Sequence, residues 1–256
     1  MLMAVDVGNT QTVLGLFDGE TSLGQWRIAT EEQRTADELA VFFAGLLALE
    51  DLHLNEVDAV IVSSVVPGLT RSYRNLASEV FGVPFYGVTA GMKTGLENRY
   101  DDPEAVGADR IVNAVAAGRH YGFPAIIVDI GTATTVEAVD GGGCYLGGAI
   151  LTGLYVSLEA LVSRTAKLPG VDLEEEPPRV IATNTPDSIR SGFIYGYAGA
   201  VDALIRRSRD ELDQDGVKVV ATGGPAGVIV PYCREIDEFD PDLTLRGLLA
   251  LYEMNA

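Results

Sequence analysis

Two cysteines, Cys144 and Cys233, are all that this 256-residue chain carries, and no Cys-x-x-Cys pair occurs. That scarcity excludes a disulfide framework and points to a reducing, cytoplasmic setting, with both thiols serving as small buried hydrophobes. Basic residues are also short, 18 Lys and Arg against 37 Asp and Glu, for a net charge of −19. Phosphate backbones are gripped by clustered cations, so a nucleic-acid partner is not expected. No apolar run reaches the 18 residues that a membrane span needs, so no membrane association is expected. The opening MLMAVDV lacks a basic n-region and runs straight into a Gly-Asn turn, which reads as a first strand and not a signal peptide. Two histidines, His53 and His120, leave little from which to build a histidine triad or a zinc site. No G-x-x-x-x-G-K-[ST], strand-following G-x-G-x-x-G, HExxH or spaced Cys/His set is present.

What remains is ordinary for a globular protein, 47% hydrophobic and 21% charged. Its most informative feature is an internal near-repeat. Ala4-Val5-Asp6-Val7-Gly8-Asn9-Thr10-Gln11-Thr12-Val13 is echoed by Ile127-Val128-Asp129-Ile130-Gly131-Thr132-Ala133-Thr134-Thr135-Val136. In each copy an apolar strand ends in Asp-x-Gly, and each closes on an Asp-Gly hairpin signal, Asp18-Gly19 and Asp140-Gly141. Two copies half a chain apart predict two similar domains, residues 1–122 and 123–256, facing each other.

Apolar spacing predicts helices over 36–49, 68–81 and 103–121, the last with Gly107-Ala108-Asp109-Arg110 in its first turn. Further helices are expected from 154, from Thr185 to about 212 and over 243–252. Thr185 is the expected N-cap of its helix, with Pro186 in the first helical position. Strands are expected at 59–66, 84–88, 124–130, 133–139, 144–151 and 217–222, with Gly223-Gly224 as a turn. The stretch 169–184, which includes Glu174-Glu175-Glu176-Pro177-Pro178, reads as a surface loop. Strands and helices alternate without a long polar linker, so the class is α/β.

The paired hairpins carry the chemistry. Glycine after the strand lets backbone approach a phosphate without a Cβ clash. The N–H groups that follow, with the hydroxyls of Thr10, Thr12, Thr132 and Thr134, can donate to phosphate oxygens. The carboxylates of Asp6 and Asp129 repel phosphate and would act through a cation. An Asx turn at a hairpin tip would explain one such segment, but two matching copies favour the phosphate-loop reading.

Tandem Asp-x-Gly loops of this kind resemble the sugar kinase, Hsp70 and actin superfamily. Within it, Tyr100-Asp101-Asp102-Pro103, Gly107-Ala108-Asp109-Arg110, Asp129-Ile130-Gly131-Thr132-Ala133-Thr134-Thr135 and Gly147-Gly148-Ala149-Ile150 resemble the type III pantothenate kinases. Ser63-Ser64-Val65-Val66-Pro67 and Ala221-Thr222-Gly223-Gly224 match as well, and the resemblance runs from residue 3 to about 248.

That resemblance implies duplicated actin-like (ribonuclease H-like) domains, each a mixed β-sheet with flanking helices, with a nucleotide cleft between them. It implies ATP-dependent phosphorylation of pantothenate to 4′-phosphopantothenate, the first step of coenzyme A biosynthesis. Asp109 would be the catalytic base. Asp6, Val7, Gly8, Asn9, Thr10, Gln11, Thr12 and Val13, with Thr132, Gly223 and Gly224, would hold ATP. Tyr100, Gly107, Ala108, Asp109 and Arg110 would contact pantothenate, joined by Thr185 from the partner of a homodimer. Asp6 would hold Mg²⁺ through water, and Asp129 a monovalent cation, K⁺ or NH₄⁺. Two other readings stay open on the residues alone. One is a non-catalytic regulator on the same fold, which could lose Asp109 or a loop, although all are intact here. The other is a phosphatase or a kinase for another small alcohol, whose phosphate machinery would look the same.

Overall fold

A computed structural model of the chain describes residues 1–175 and 179–256. Chain order gives strands β1 (Leu2–Val7), β2 (Gln11–Asp18), β3 (Thr21–Ala29), β4 (Ala59–Ser64), β5 (Phe85–Gly87) and β6 (Glu97–Asn98). These are followed by β7 (Ala125–Ile130), β8 (Ala133–Val139), β9 (Cys144–Thr152), β10 (Lys218–Thr222) and β11 (Glu238–Phe239). The helices are α1 (Ala36–Ala48), α2 (Pro67–Asn75), α3 (Ala108–Tyr121), α4 (Leu154–Ser163), α5 (Thr185–Leu212), α6 (Ala226–Ile229) and α7 (Leu243–Asn255).

Contacts divide the chain into two compact units. Met1–Gly95, Asp101–Arg119 and Leu243–Ala256 form the first; Leu96–Tyr100 and His120–Asp242 form the second. The first holds a five-stranded sheet in the order β3-β2-β1-β4-β5, antiparallel from β3 to β1 and parallel from β1 to β5. The second holds a six-stranded sheet in the order β11-β10-β7-β8-β9-β6. Its β7, β8 and β9 form an antiparallel meander, and β10 and β11 add in parallel on the other side of β7. One strand plan is thus used twice, with β7 in the place of β1 and β10 in the place of β4. This is the duplicated α/β plan that the repeated hairpin predicts.

Alternation sets the two faces of the first sheet. Met3, Val5 and Val7 of β1 and Val60 and Val62 of β4 meet Leu39, Phe43 and Leu47 of α1 and Leu69 and Tyr73 of α2, all buried. A Thr35–Glu38 capping box starts α1, and the hydrogen bonds from Thr35 hold the Glu38 carboxyl below its usual range. The other face carries α7, which packs on β1, β4 and β2 although the sequence places it in the second half of the chain. Helix α7 is braced to α3 where the Thr244 hydroxyl donates to Asn113 Oδ1 at 2.7 Å. In the second unit Ile126, Val128 and Ile130 of β7 join Leu154, Ile194, Val201 and Ile205 of α4 and α5 in the core.

Several boundaries differ from the sequence reading. Pro103–Ala105 is a separate 3-10 turn capped by Asp102, and α3 starts only at Ala108. The expected helix 68–81 changes after Asn75 into a π-helical segment, Leu76–Phe81, ended by left-handed Gly82. Asn184, not Thr185, caps α5: its side chain accepts from Asp187 N at 3.0 Å, and Thr185 becomes the first helical residue. Asn is as good a cap as Thr, and the Asn-Thr-Pro order fits either frame. The described residues of 169–184 contain no helix or strand; Glu176, Pro177 and Pro178 of the expected loop lie outside the described residues.

Candidate active site

The first hairpin is built at the end of β1. Asp6 is half-buried there, opposite Val13 on β2 and Ser63 on β4. The turn closes through Gly8 N donating to Gln11 O at 3.0 Å, which leaves Asn9, Thr10 and Gln11 exposed at the tip. Thr30 braces it from outside, its N–H donating to Thr10 O at 3.0 Å and its hydroxyl to Gly8 O at 2.8 Å. Val7 and Thr12 are buried, so the side chains of these two expected nucleotide contacts face the core. The Thr12 hydroxyl lies 3.0 Å from that of Thr30. It also meets Tyr73, whose phenol is pushed up to about 12 by burial.

The second hairpin repeats this with one residue fewer. Val7 pairs with Thr12, whereas Ile130 pairs with Thr134, so the connecting segments are 8–11 and 131–133. The structural counterpart of Thr12 is therefore Thr134, not Thr135 as the ungapped sequence repeat has it. Gly131 N donates to Ala133 O at 2.9 Å, and Thr132 and Ala133 are the exposed tip. Thr134 is fully buried and lies 2.8 Å from Tyr197 Oη of α5, which also reaches Thr152 O at 2.7 Å. A carbonyl can only accept, so the Tyr197 proton goes to Thr152 and Thr134 donates to Tyr197. Of the four hydroxyls assigned to phosphate, two sit at exposed tips and two brace the hairpins from below.

Asp129, half-buried, stands opposite Thr135 on β8 and Thr222 on β10. The chain leaves β10 through Gly223 at φ +101°, a conformation that L side chains rarely adopt. A Cβ there would fall 2.2 Å from Ile130 O and 2.7 Å from Asp129 Oδ1. Glycine is required on both counts, and it brings the exposed Gly224 turn down onto the end of β7. Among the described residues no cluster of three or more His, Cys, Asp or Glu could hold a metal ion by protein ligands alone.

The first turn of α3 carries Asp109. It is half-buried, and its Oδ1 accepts from Arg110 N at 2.9 Å. A Cβ on Gly107 would lie 2.4 Å from that same oxygen, so glycine keeps the carboxylate accessible from the loop side. Arg110 is 9% exposed, so it is not a solvated surface cation. In the second unit the Tyr100 ring is tilted against Tyr145 at 6.4 Å, and Tyr100 N donates to Asn98 Oδ1. Thr185 is exposed at the start of α5, on a groove of about 490 Å³ shared with Ser188, Gly192, Phe193, Gly196 and Tyr197.

Sequence reasoning misses Thr30, Tyr197, Asn184 and Ser63. Two of them have a signal: Asn184 is a competent cap beside Thr185, and Ser63 is one of two serines that end the otherwise apolar strand β4. Of the two thiols expected to be buried, Cys144 is buried and Cys233 only half-buried, with burial pushing the latter up to about 12.

The repeated strand plan with an Asp-x-Gly hairpin in each sheet defines the duplicated actin-like fold. Solved structures with that fold are similar over nearly the whole chain. One from Campylobacter jejuni, named for the Baf family of transcriptional activators, has a TM-score of 0.62 at 17% identity and covers 98% of this chain and 97% of that one. The ethanolamine utilization protein EutJ of Carboxydothermus hydrogenoformans has a TM-score of 0.56 at 13% identity, over 99% and 89%. Sequence goes further: residues 2–207 match the type III pantothenate kinase family. A type III pantothenate kinase of Rubrobacter xylanophilus is 66% identical over 260 residues, 100% of this chain and 98% of the relative. One of Thermobifida fusca is 46% identical over 258 residues, with 100% of both covered. The chain belongs to the type III pantothenate kinase family.

The bracing role of the buried hydroxyls is testable. Thr134→Val leaves the Tyr197 oxygen without its donor and should lower unfolding free energy by about 1–3 kcal/mol in urea melts. Thr132→Val at the exposed tip should change it by less than about 0.5 kcal/mol. Equal effects at both positions would contradict the assignment.

Proposed function

We propose that this protein transfers the γ-phosphoryl group of ATP to the primary hydroxyl of pantothenate, releasing ADP and 4′-phosphopantothenate, in the opening step of coenzyme A synthesis. The observation that carries this reading is the Asp-x-Gly hairpin present in both sheets of a chain that belongs to this family. Phosphoryl transfer asks little covalent chemistry of a protein; it asks for positioning and for neutralisation of charge. Backbone N–H groups and the exposed side chains of Asn9, Thr10 and Gln11 suit the triphosphate, as does Thr132 in the second hairpin. The open turn at Gly223-Gly224 suits the flat adenine. Asp109 takes the proton of the attacking hydroxyl, and Arg110, Gly107, Ala108 and Tyr100 contact the rest of pantothenate.

Mg²⁺ fits Asp6. No protein cage of several acids is present among the described residues, and Mg²⁺ commonly uses one carboxylate, retained water and substrate phosphates. Asp6 would hold it, and the ion would supply neutralisation of phosphate charge. K⁺ or NH₄⁺ fits Asp129, where the Ile130 carbonyl, the carboxylate and side-chain-free Gly223 converge. A large, weakly hydrated ion suits one carboxylate with backbone carbonyls. A homodimer fits the α5 groove, which is lined by apolar Leu161, Leu168 and Phe193 with the small residues Gly192 and Gly196. Two-fold pairing through such a face is the commonest assembly, and it would carry Thr185 to the substrate site of the partner. No helix among the described residues is long and apolar enough to cross a membrane, and we read the enzyme as cytoplasmic.

Purified protein given ATP, Mg²⁺, K⁺ and pantothenate should form 4′-phosphopantothenate, detectable by mass. Asp109→Asn should lower kcat by a factor of about 10² or more with a smaller effect on pantothenate binding. Absence of product, or near-normal turnover by the variant, would overturn the reaction or the base respectively. Turnover should need K⁺ or NH₄⁺ and be poorly supported by Na⁺, and Asp129→Asn should blunt that dependence together with ATP affinity; equal rates in sodium buffer would remove the cation from Asp129. Light scattering should return about twice the 27.2 kDa of the chain, and a fully active monomer would refute the pairing.

A further inference from the structure

One buried polar atom stands apart from the rest of the molecule. Among the described residues, Ser63 Oγ is the single buried side-chain oxygen or nitrogen with no hydrogen-bond partner, and Ser63 is 0% exposed. An unpartnered buried hydroxyl is destabilising, and native proteins keep few of them without a reason. Ala in its place would fill a small apolar site in β4, whose neighbours Ile61 and Val62 are themselves buried. The next residue shows how such a group is ordinarily satisfied: Ser64 Oγ donates to Val66 O at 3.0 Å and accepts from Val66 N at 3.1 Å.

Register explains where the Ser63 hydroxyl is aimed. β4 runs parallel to β1, and Ser63 is the Cα partner of Asp6. Partnered residues of neighbouring strands project from the same face of the sheet. Ser63 therefore lies beside the strand-end carboxylate, one strand over. The second unit repeats the arrangement: Thr222 of β10 is the parallel partner of Asp129, and it is 1% exposed. A buried hydroxyl thus accompanies each strand-end aspartate, on the parallel side. The buried hydroxyls on the antiparallel side, Thr12 and Thr134, already have partners.

We propose that Ser63 is a positioning residue, a buried hydroxyl kept beside Asp6 to fix the orientation of that carboxylate when it holds Mg²⁺–nucleotide. This deepens the function proposed above and rests on its reading of Asp6. An ionised carboxylate has about four lone-pair sites, so it can accept from Ser63 and keep its other contacts. Donation to one oxygen fixes the rotamer and leaves the second turned toward the metal-bound water, the usual task of a residue that supports a metal ligand. The unpaired hydroxyl then has its cost in the empty protein and its use in the loaded one.

The test uses the full chain with Ser63→Ala, Ser63→Thr and Asp6→Asn. Two readouts serve, thermal melting of the nucleotide-free protein and calorimetric titration of ATP with Mg²⁺ or with EDTA. Ser63→Ala should melt at the wild-type temperature or a few degrees above it, roughly 2–4 °C. Its affinity for ATP with Mg²⁺ should fall about tenfold while affinity in EDTA stays unchanged, since support of a ligand is typically worth 10–100-fold. Ser63→Thr, which copies Thr222, should restore the Mg²⁺-dependent affinity. Asp6→Asn should abolish the advantage that Mg²⁺ confers. Wild-type binding by Ser63→Ala beside a defective Asp6→Asn would overturn the role of Ser63 alone. Unaltered Mg²⁺ dependence in Asp6→Asn would overturn the reading of Asp6, and this proposal with it. A Ser63→Ala protein that melts lower, or loses affinity equally with and without Mg²⁺, would make Ser63 structural and refute the proposal.

Discussion

A carboxylate at the end of a buried strand is the constraint on which the rest of this structure depends. Asp6 and Asp129 close β1 and β7, strands whose other residues are almost all buried. A charge in such a place is costly unless something compensates it, and phosphate cannot, because it carries the same sign. The surroundings are arranged accordingly. Each aspartate is followed by a glycine turn, flanked on the parallel side by a hydroxyl residue, and left half-buried near the strand end, where the proposed function would place a cation. The overall charge of −19 makes local compensation more necessary, since the protein has no general surplus of cations.

The hairpins also show how rigidity is divided from recognition. Thr12 and Thr134 sit where sequence alone would have every threonine face the ligand, yet both are hydrogen-bonded inward. They fix the turn, and under the proposed function that would leave the exposed tips little to reorganise around phosphate, which is where electrostatic sites gain most. Gly223 does the same for the second unit from across the sheet, since any side chain there would collide with Ile130 O.

Much of this is legible in the amino-acid sequence. The Asp-x-Gly repeat is a strand-and-turn pattern that local chemistry enforces, so both hairpins and the α/β class follow from it. The Gly107–Arg110 block stands out through its resemblance to the family, and the structure adds that a Cβ on Gly107 would meet the Asp109 carboxylate. What cannot be read lies in register and in long-range packing. The one-residue difference between the two turns is invisible in an ungapped repeat; it needs the pairing of Ile130 with Thr134. Tyr197 is 63 residues from the threonine it meets, and no periodicity announces such a contact. Asn184 and Thr185 are both competent caps, and only the backbone decides between them. Ser63 is visible as one of two serines that end an apolar strand, but its partnerless state is a property of the packed core.

The central claim is that the β1–β2 hairpin receives the triphosphate and that Asp109 receives the proton of the acceptor alcohol. A crystal structure with Mg²⁺, a non-hydrolysable ATP analogue and pantothenate tests it most directly. The account predicts phosphate oxygens against the backbone of Gly8, Asn9, Thr10 and Gln11, with the primary hydroxyl of pantothenate about 2.6–3.2 Å from an Asp109 carboxylate oxygen. A nucleotide seated away from that hairpin, or an acceptor hydroxyl facing some other side chain, would contradict it.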